Sequence, residues 1–389
     1  MKIIFWISLF LVFYTYLGYG IVLFIMIKIK RLFKGRPVLP GYHHLPTLTI
    51  IVAAYNEEDF IEQKIQNTLS LEYPAGKMQY IFVTDGSSDT TPAIVAKYPQ
   101  IKLLHSSERK GKIAAMHRTM KEVTTEVVVF TDANTFLNKK ALLNISRHYA
   151  DPRVGAVSGE KRVQIDATAD ATAGEGMYWK YESKLKTWDS EMYSVVGAAG
   201  ELFSIKTALY KPVPPNAIID DFMISMLIAK AGYRIIYEPD AYASENTSEN
   251  VKEELKRKIR IAAGGLQSII WLKDLLLPFK FPLLSFQYIS HRVLRWTITP
   301  FLMVLVFVLN WFLALNAIPF LYSIILAAQV SFYSMALLGW YFESRQVKVK
   351  LLFIPFYFCM MNWAVMAGIV RYLKGNQSVL WEKAGRKKG

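Results

Sequence analysis

Residues 47–58 read TLTIIVAAYNEE, from Thr47 to Glu58, and the reading of this stretch decides the fold. Its first eight positions, Thr47–Ala54, are apolar or β-branched, and the chain turns polar at Tyr55-Asn56-Glu57-Glu58. A short apolar run of this kind fits a strand covered on both faces in a largely parallel sheet. Two more runs repeat the pattern, Gln79–Thr84 (QYIFVT) and Glu126–Thr131 (EVVVFT). Helical patterns at Glu57–Ser70 and Lys112–Val123 lie between them. Strands alternating with helices predict an α/β domain that begins with a nucleotide-binding half.

In open α/β sheets the ligand lies beyond the carboxyl ends of the strands. Those ends carry acids here: Glu57 and Glu58 after the first run, Asp85 in Asp85-Gly86-Ser87-Ser88-Asp89 after the second, and Asp132 in Asp132-Ala133-Asn134 after the third. Turn chemistry and helix capping account for such residues singly, and Asp89 suits a cap. Three acidic strand ends facing one crevice exceed what turns require and point to a site. Neither the P-loop nor the G-x-G-x-x-G spacing occurs, which removes the main support for an ATPase or a nicotinamide enzyme.

Beyond this domain both ends of the chain are apolar. Of 389 residues, 53% are hydrophobic and only 20% charged, which excludes a disordered chain. Ile3 to Ile27 carries no charge and is long enough to cross a hydrocarbon core of roughly 30 Å. Its length and the cations that follow, Lys28, Lys30, Arg31, Lys34 and Arg36, favour a retained anchor over a signal peptide. The same cations place the next segment in the cytoplasm. Thr297 to Phe342 has room for two spans, with Pro319 near the turn, and Leu351 to Val370 for another. Phe286, Ile289, Val293 and Trp296 recur at helical spacing, as in a helix lying in the membrane interface. Three spans after the domain would put the tail outside. Its Arg371, Lys374, Lys383, Arg386, Lys387 and Lys388 favour the cytoplasm instead, so Leu351–Val370 either re-enters or departs from the charge rule. The net charge of +15 is largely juxtamembrane, where cations meet anionic lipid, and this argues against a nucleic-acid partner. Cys359 is the single cysteine and forms no intramolecular disulfide. The divisions expected are an anchor at 1–36, a cytoplasmic domain at 37–275, an interfacial region at 276–296 and membrane helices with a basic tail at 297–389.

Taken in order, the motifs from about Pro46 to Gly265 resemble the membrane-integrated family 2 glycosyltransferases, which include cellulose, chitin, hyaluronan and poly-N-acetylglucosamine synthases. The resemblance implies a GT-A-type nucleotide-sugar-binding domain with a mixed, mostly parallel sheet, flanked by transmembrane helices in the cell membrane. It also implies an inverting β-glycosyl transfer from UDP-GlcNAc or UDP-glucose to a growing polysaccharide. By the same resemblance Glu57 lies near the nucleoside, Asp85 bonds the uracil ring, and Lys112 of Gly111-Lys112 lies near the diphosphate. Asp132-Ala133-Asn134 stands for the D-x-D motif that binds the donor and Mg²⁺ or Mn²⁺, making Asp132 and Asn134 the metal ligands. Ile219-Asp220-Asp221 corresponds to the acidic pair whose second member, Asp221, is the catalytic base. Gly197–Glu201 resembles the small-residue acceptor segment, placing Gly200, Glu201 and Asp220 in the acceptor region. Arg257–Ile261 stands where polymerising members carry Q-x-x-R-W, with Arg260 on the diphosphate and Arg257 toward the acceptor. Trp381-Glu382-Lys383 is also compatible with the family.

The chemistry accounts for these residue types. A departing diphosphate gains negative charge, which a hard cation with oxygen ligands stabilises. The attacking hydroxyl must lose a proton to a carboxylate. Asn134 departs from D-x-D by removing one charge, so Asp132 is alternatively a ribose ligand without a tight metal site. Ile261 departs from the tryptophan of the polymer synthases. Two other readings therefore stay open. One is transfer of a single sugar to a lipid acceptor such as a polyprenyl phosphate or diacylglycerol; the other is a non-catalytic subunit that binds nucleotide sugar. Trp179, Tyr181, Trp188 and Tyr193 are candidates to stack a sugar or to serve as packing. A glycan or lipid acceptor, membrane lipid and accessory polysaccharide-export subunits complete the partners implied.

Overall fold

The computed structural model describes residues 1–164, 172–246, 251–316, 320–345, 347 and 349–375. Pro319 and the segment Trp381-Glu382-Lys383 lie outside the described residues. The chain divides into an α/β unit, built from Lys30–Gln164 and Lys186–Glu249, and a helical unit built from Met1–Ile29, Ile165–Leu185 and Asn250–Asn376.

In the α/β unit eight strands form one sheet. They are β1 Leu48–Ala54, β2 Met78–Asp85, β3 Lys102–Ser106, β4 Val127–Asp132, β5 Phe136–Leu137, β6 Val154–Gln164, β7 Leu202–Lys206 and β8 Arg234–Asn246. The order across the sheet is β3-β2-β1-β4-β7-β6-β8-β5. β3, β2, β1 and β4 run parallel; β7 opposes β4 and β6, and β5 opposes β8. The sheet is therefore mixed and mostly parallel. All seven residues of β1 are buried, as its unbroken apolar run requires in a central strand covered on both faces. Leu48, Ile50, Val127 and Val129 pack with Leu142 and Ile145 in one core cluster. Val52 and Phe82 pack with Ile61 and Ile65 in a second.

Register positions the site. Ala53 pairs with Asp132 and Val83, and Asp85 with Ser106, so the carboxyl ends of β1, β2 and β4 stop at one level. The helix after β1 begins at Ile61 rather than Glu57; Asn56 takes a left-handed conformation (φ 53°), and a turn closed by the Phe60 N–H on the Glu57 carbonyl at 2.9 Å precedes the helix.

Among the described residues, four helices are long and apolar enough to cross a membrane: Lys2–Lys34, Thr299–Asn316, Phe320–Ser344 and Lys350–Leu373. The last runs unbroken through Pro355. Polar pairs stitch the helices together, Thr15 to Thr299 at 3.1 Å, Tyr14 to Ser290 at 2.8 Å and Asn310 to Gln329 at 2.8 Å. Residues Pro282 to Trp296 are helical throughout, with a π-turn at Ile289–Val293. Phe286, Ile289, Val293 and Trp296 are half-buried, while Gln287 and His291 on the same stretch are fully buried.

Glu182 supplies the reason. This buried carboxylate accepts from His291 Nε2 at 3.1 Å and Arg295 at 2.9 Å, and Arg292 stands 3.0 Å away. Burial would raise its pKa, yet His291, Arg292 and Arg295 hold it well below the ordinary carboxylate range. Removing one partner of a buried ionic group leaves uncompensated charge behind. Glu182→Leu is therefore expected to cost about 3–5 kcal/mol in unfolding of the detergent-solubilised protein. An unchanged unfolding midpoint would show that the cations do not depend on Glu182.

Candidate active site

The loops after β1 and β2 are built as one piece. Asn56 receives the Ser88 N–H at 2.9 Å, and its own N–H donates to Ser87 Oγ at 3.2 Å. The Glu58 N–H donates to Asp89 at 3.1 Å, and Glu58 accepts from Thr90 N and Oγ1 at 3.2 and 2.9 Å. Asp89 also accepts from the Thr91 N–H at 3.0 Å, a turn contact ahead of the helix Thr91–Val95, whose N-cap is Thr90. Glu57 is buried, with its N–H on Thr91 Oγ1 at 2.9 Å. Glu58 and Asp89 thus tie loop to loop, while Glu57 and Asp85 face inward.

Asp85, at the end of β2, uses Oδ2 to accept the backbone N–H groups of Lys110 and Gly111 at 2.8 and 2.6 Å. Its Oδ1 is buried without a hydrogen-bond partner among the described residues, 3.8 Å from Arg118. Tyr55, Asp85, Arg109, Gly111 and Lys112 line a small pocket at this edge. The Arg109 guanidinium lies 3.8 Å above the Tyr55 ring. Gly86 permits this approach: its φ is +68°, and a Cβ there would stand 2.5 Å from Arg109 Cβ and 2.8 Å from its Cα.

Lys112 opens the helix Lys112–Met120 and places Nζ 2.6 Å from Asp132 Oδ1. Burial works against its charge, but Asp132, Asp220 and Asp221 together raise its pKa above the ordinary lysine range. Beneath the Asp132 loop lies a residue that the motif reading missed. Lys64 is fully buried and donates to Thr131 Oγ1 at 2.9 Å and to the Thr135 carbonyl at 2.6 Å. Burial pushes its pKa down to about 7, with Asp132 opposing. Thr131 Oγ1 also reaches the Glu201 carbonyl at 2.9 Å, so this hub joins the Asp132 loop to the segment around Gly200.

Asp220 and Asp221 open the helix Asp220–Lys230. A Cβ on Gly200 would stand 3.0 Å from Asp221 Oδ2, so the acid faces the Gly197–Glu201 segment directly. Ser225 braces both, donating to the Asp221 carbonyl at 2.8 Å and accepting the Ala198 N–H at 2.9 Å. Burial and the neighbouring Asp220 push Asp221 up to about 7, against the pull of Lys112. Asp220 Oδ2 is buried without a hydrogen-bond partner among the described residues, and the field of Asp220 reaches His117 and Tyr210. The Glu201 side chain turns away to a buried network, 2.7 Å from Lys161, which also pairs with Glu245.

The structure thus brings Glu57, Asp85, Lys112, Asp132, Asn134, Gly200, Glu201, Asp220 and Asp221 into one unit. Arg257 and Arg260 lie in the other, on the helix Val251–Trp271, where Arg257 stands 3.8 Å from Glu254. Trp179 lies beneath Lys258, and Tyr181 donates to the Tyr16 carbonyl at 2.7 Å, both within the helical unit. Among the described residues, no group of three or more His, Cys, Asp or Glu is placed to hold a metal. Asp132 and Asn134 offer one carboxylate and one amide oxygen. That set fits Mg²⁺ or Mn²⁺ only where a diphosphate supplies further ligands.

An open mixed sheet with acids and a lysine at the carboxyl edge of its parallel strands is the architecture of GT-A domains. The chain is similar, with a TM-score of 0.72, 24% identity and coverage of 96% of this chain and 100% of the other, to a mannosyltransferase from Pyrobaculum calidifontis solved in complex with GDP-Man and Mn²⁺. Residues 49–212 match the family model Glycosyl transferase family 2. It is similar to the poly-beta-1,6-N-acetyl-D-glucosamine synthase of Staphylococcus aureus strain MSSA476, 27% identical over 58% of this chain and 56% of that protein. The synthase of the same name from Staphylococcus epidermidis is 24% identical over 64% of this chain and 62% of its own length. The chain thus spans little more than half the length of these curated relatives.

The closeness of Gly200 to Asp221 generates a direct test. Gly200→Ala makes Asp221 or the loop give by a few tenths of an ångström; a full 1 Å misplacement of a reacting group costs roughly 100-fold in rate, so this smaller shift is worth about tenfold or less if Asp221 acts at the acceptor. A loss of that order in sugar transfer by a folded variant is the expected outcome. Unaltered transfer would mean that Asp221 works away from Gly200.

Proposed function

We propose that this protein is an inverting β-glycosyltransferase of the cell membrane. It takes a sugar from a nucleotide-diphosphate donor, UDP-GlcNAc or UDP-glucose, and adds it to a growing polysaccharide. The observation that carries the reading is the pairing, at one sheet edge of a family 2 domain, of a lysine-carboxylate donor centre with a buried acid facing a glycine-lined segment. The names of the staphylococcal relatives support a polysaccharide product and N-acetylglucosamine as the sugar. The cations after the first apolar helix support a cytoplasmic α/β unit.

In this reading the base of the nucleotide enters the pocket between Tyr55 and Asp85, and the diphosphate meets Lys112. Asp221 accepts the proton of the acceptor hydroxyl as that oxygen attacks the anomeric carbon, and the bond to the diphosphate breaks in the same displacement. A base poised near neutrality suits this step, because it is largely ionised at working pH and still accepts a proton readily. Lys112 meets the charge that develops on the leaving diphosphate. Asp132 and Asn134 would hold a divalent cation whose chemistry is to screen that same charge. Arg260, by its family position, is assigned to the diphosphate, and Arg257 to the acceptor side.

Release of nucleoside diphosphate by the purified full chain, with Mg²⁺ or Mn²⁺ and a panel of nucleotide sugars, tests the reading. One donor is expected to support release, and Asp221→Asn to lower it by roughly 100- to 10,000-fold while retaining donor binding. Release by the variant at the normal rate would remove Asp221 from the role of base. A high-polymer product supports the polysaccharide, whereas a single organic-extractable glycolipid would replace it with a lipid acceptor.

The pH dependence follows from the raised pKa of Asp221. Only the carboxylate accepts a proton, so turnover is expected to fall about tenfold per pH unit below about 7 and to level off above it. A plateau reaching down to pH 5 would contradict a base with this pKa.

A further inference from the structure

The contact between Lys112 and Asp132 has a second meaning, which rests on the donor-site reading above. Asp132 is the carboxylate of the Asp132-Ala133-Asn134 segment, and its Oδ1 is already met by an ammonium at 2.6 Å. Asn134 adds an oxygen but no charge. With Lys112 in place, the formal charge of the Lys112–Asp132 pair is zero, so Asp132 itself offers a divalent ion little attraction. An ion bonded to Asp132 Oδ1 would lie about 2.0–2.1 Å from it, where it competes directly with the ammonium.

One side of this contact is fixed and the other can move. The Asp132 carbonyl accepts from Thr135 Oγ1 at 3.0 Å, and Thr131 and Thr135 are both held by the buried Lys64. Lys112 stands at the first turn of its helix on a flexible four-carbon stem. Asp220 and Asp221 also act on its charge, so the ammonium has favourable surroundings beyond Asp132.

We propose that Lys112 is a stand-in cation: it masks Asp132 in the ligand-free protein and moves to the donor diphosphate on binding, so that divalent metal binds only together with nucleotide. The diphosphate brings negative charge for both cations, giving Lys112 a new partner and the metal its missing ligands. By linkage, metal and nucleotide then tighten each other's binding by the same factor.

Mn²⁺ binding to the full-length protein in detergent, read from the electron paramagnetic resonance of free Mn²⁺, tests this without any turnover. The probes are Mn²⁺ alone, Mn²⁺ with UDP and Mn²⁺ with GDP. For the wild type, one nucleotide is expected to tighten Mn²⁺ binding by roughly 5- to 150-fold. Lys112→Met is expected to bind Mn²⁺ without nucleotide more tightly than the wild type, by a factor in the same range, and to show a correspondingly smaller gain from nucleotide, the diphosphate still adding ligands to the metal. Lys112→Arg keeps a cation on Asp132 and is expected to behave as the wild type, while Asp132→Asn loses Mn²⁺ under all conditions. If Lys112→Met unfolds, Lys112→Gln takes its place. Nucleotide-free Mn²⁺ binding by the folded Lys112 variant that is no tighter than wild type overturns the proposal. Absence of Mn²⁺ binding to the wild type with either nucleotide overturns the donor-site reading instead.

Discussion

A lysine with no exposure to solvent holds the catalytic edge together. Lys64 sits at the centre of a hydrogen-bonded hub formed by Thr131, Thr135 and the Glu201 carbonyl. Burying an ammonium is costly, and it is tolerated where good hydrogen bonds and a nearby carboxylate compensate. Thr131 and Thr135, the partners of Lys64, both belong to the stretch carrying Asp132, and Thr131 in turn donates to the Glu201 carbonyl, tying that stretch in register with the segment carrying Gly200. With that register fixed, Asp132 meets Lys112 and Asp221 faces Gly200. The rest of the site is arranged around these two contacts.

The strands were legible because their ends coincide with sharp changes of chemistry. Thr47–Ala54, Gln79–Thr84 and Glu126–Thr131 lie within a residue or two of β1, β2 and β4, since nothing but a doubly covered strand accommodates so short and apolar a run. The second half of the sheet was not legible. β6 and β8 pair across about eighty residues of sequence, and their mixed composition carries no local signature of that pairing. The helices long and apolar enough to cross a membrane were legible by length and lack of charge, and the four among the described residues fall where the sequence marks them.

The site divides in the same way. Asp85, Asp132 and Asp221 stand at positions where acids are conspicuous, but Glu58 and Asp89 look the same in sequence and serve to bind one loop to another. Lys64 did leave a signal. With Ile61, Ile65 and Thr68 it occupies the buried face of its helix, a place where a lysine requires a partner. Arg109 likewise stands in the run Arg109-Lys110-Gly111-Lys112, where attention falls on the glycine and the last lysine. The pairing of Glu182 with His291 spans 109 positions and leaves no mark on either local pattern.

The most direct test of the central claim is a structure of the full chain determined with UDP and Mn²⁺. The account predicts the base against Tyr55 and Asp85, with the diphosphate between Lys112 and Asp132 and the metal on Asp132. Nucleotide bound at any other edge of the sheet, with this pocket still closed by Arg109 and Lys112, would contradict it.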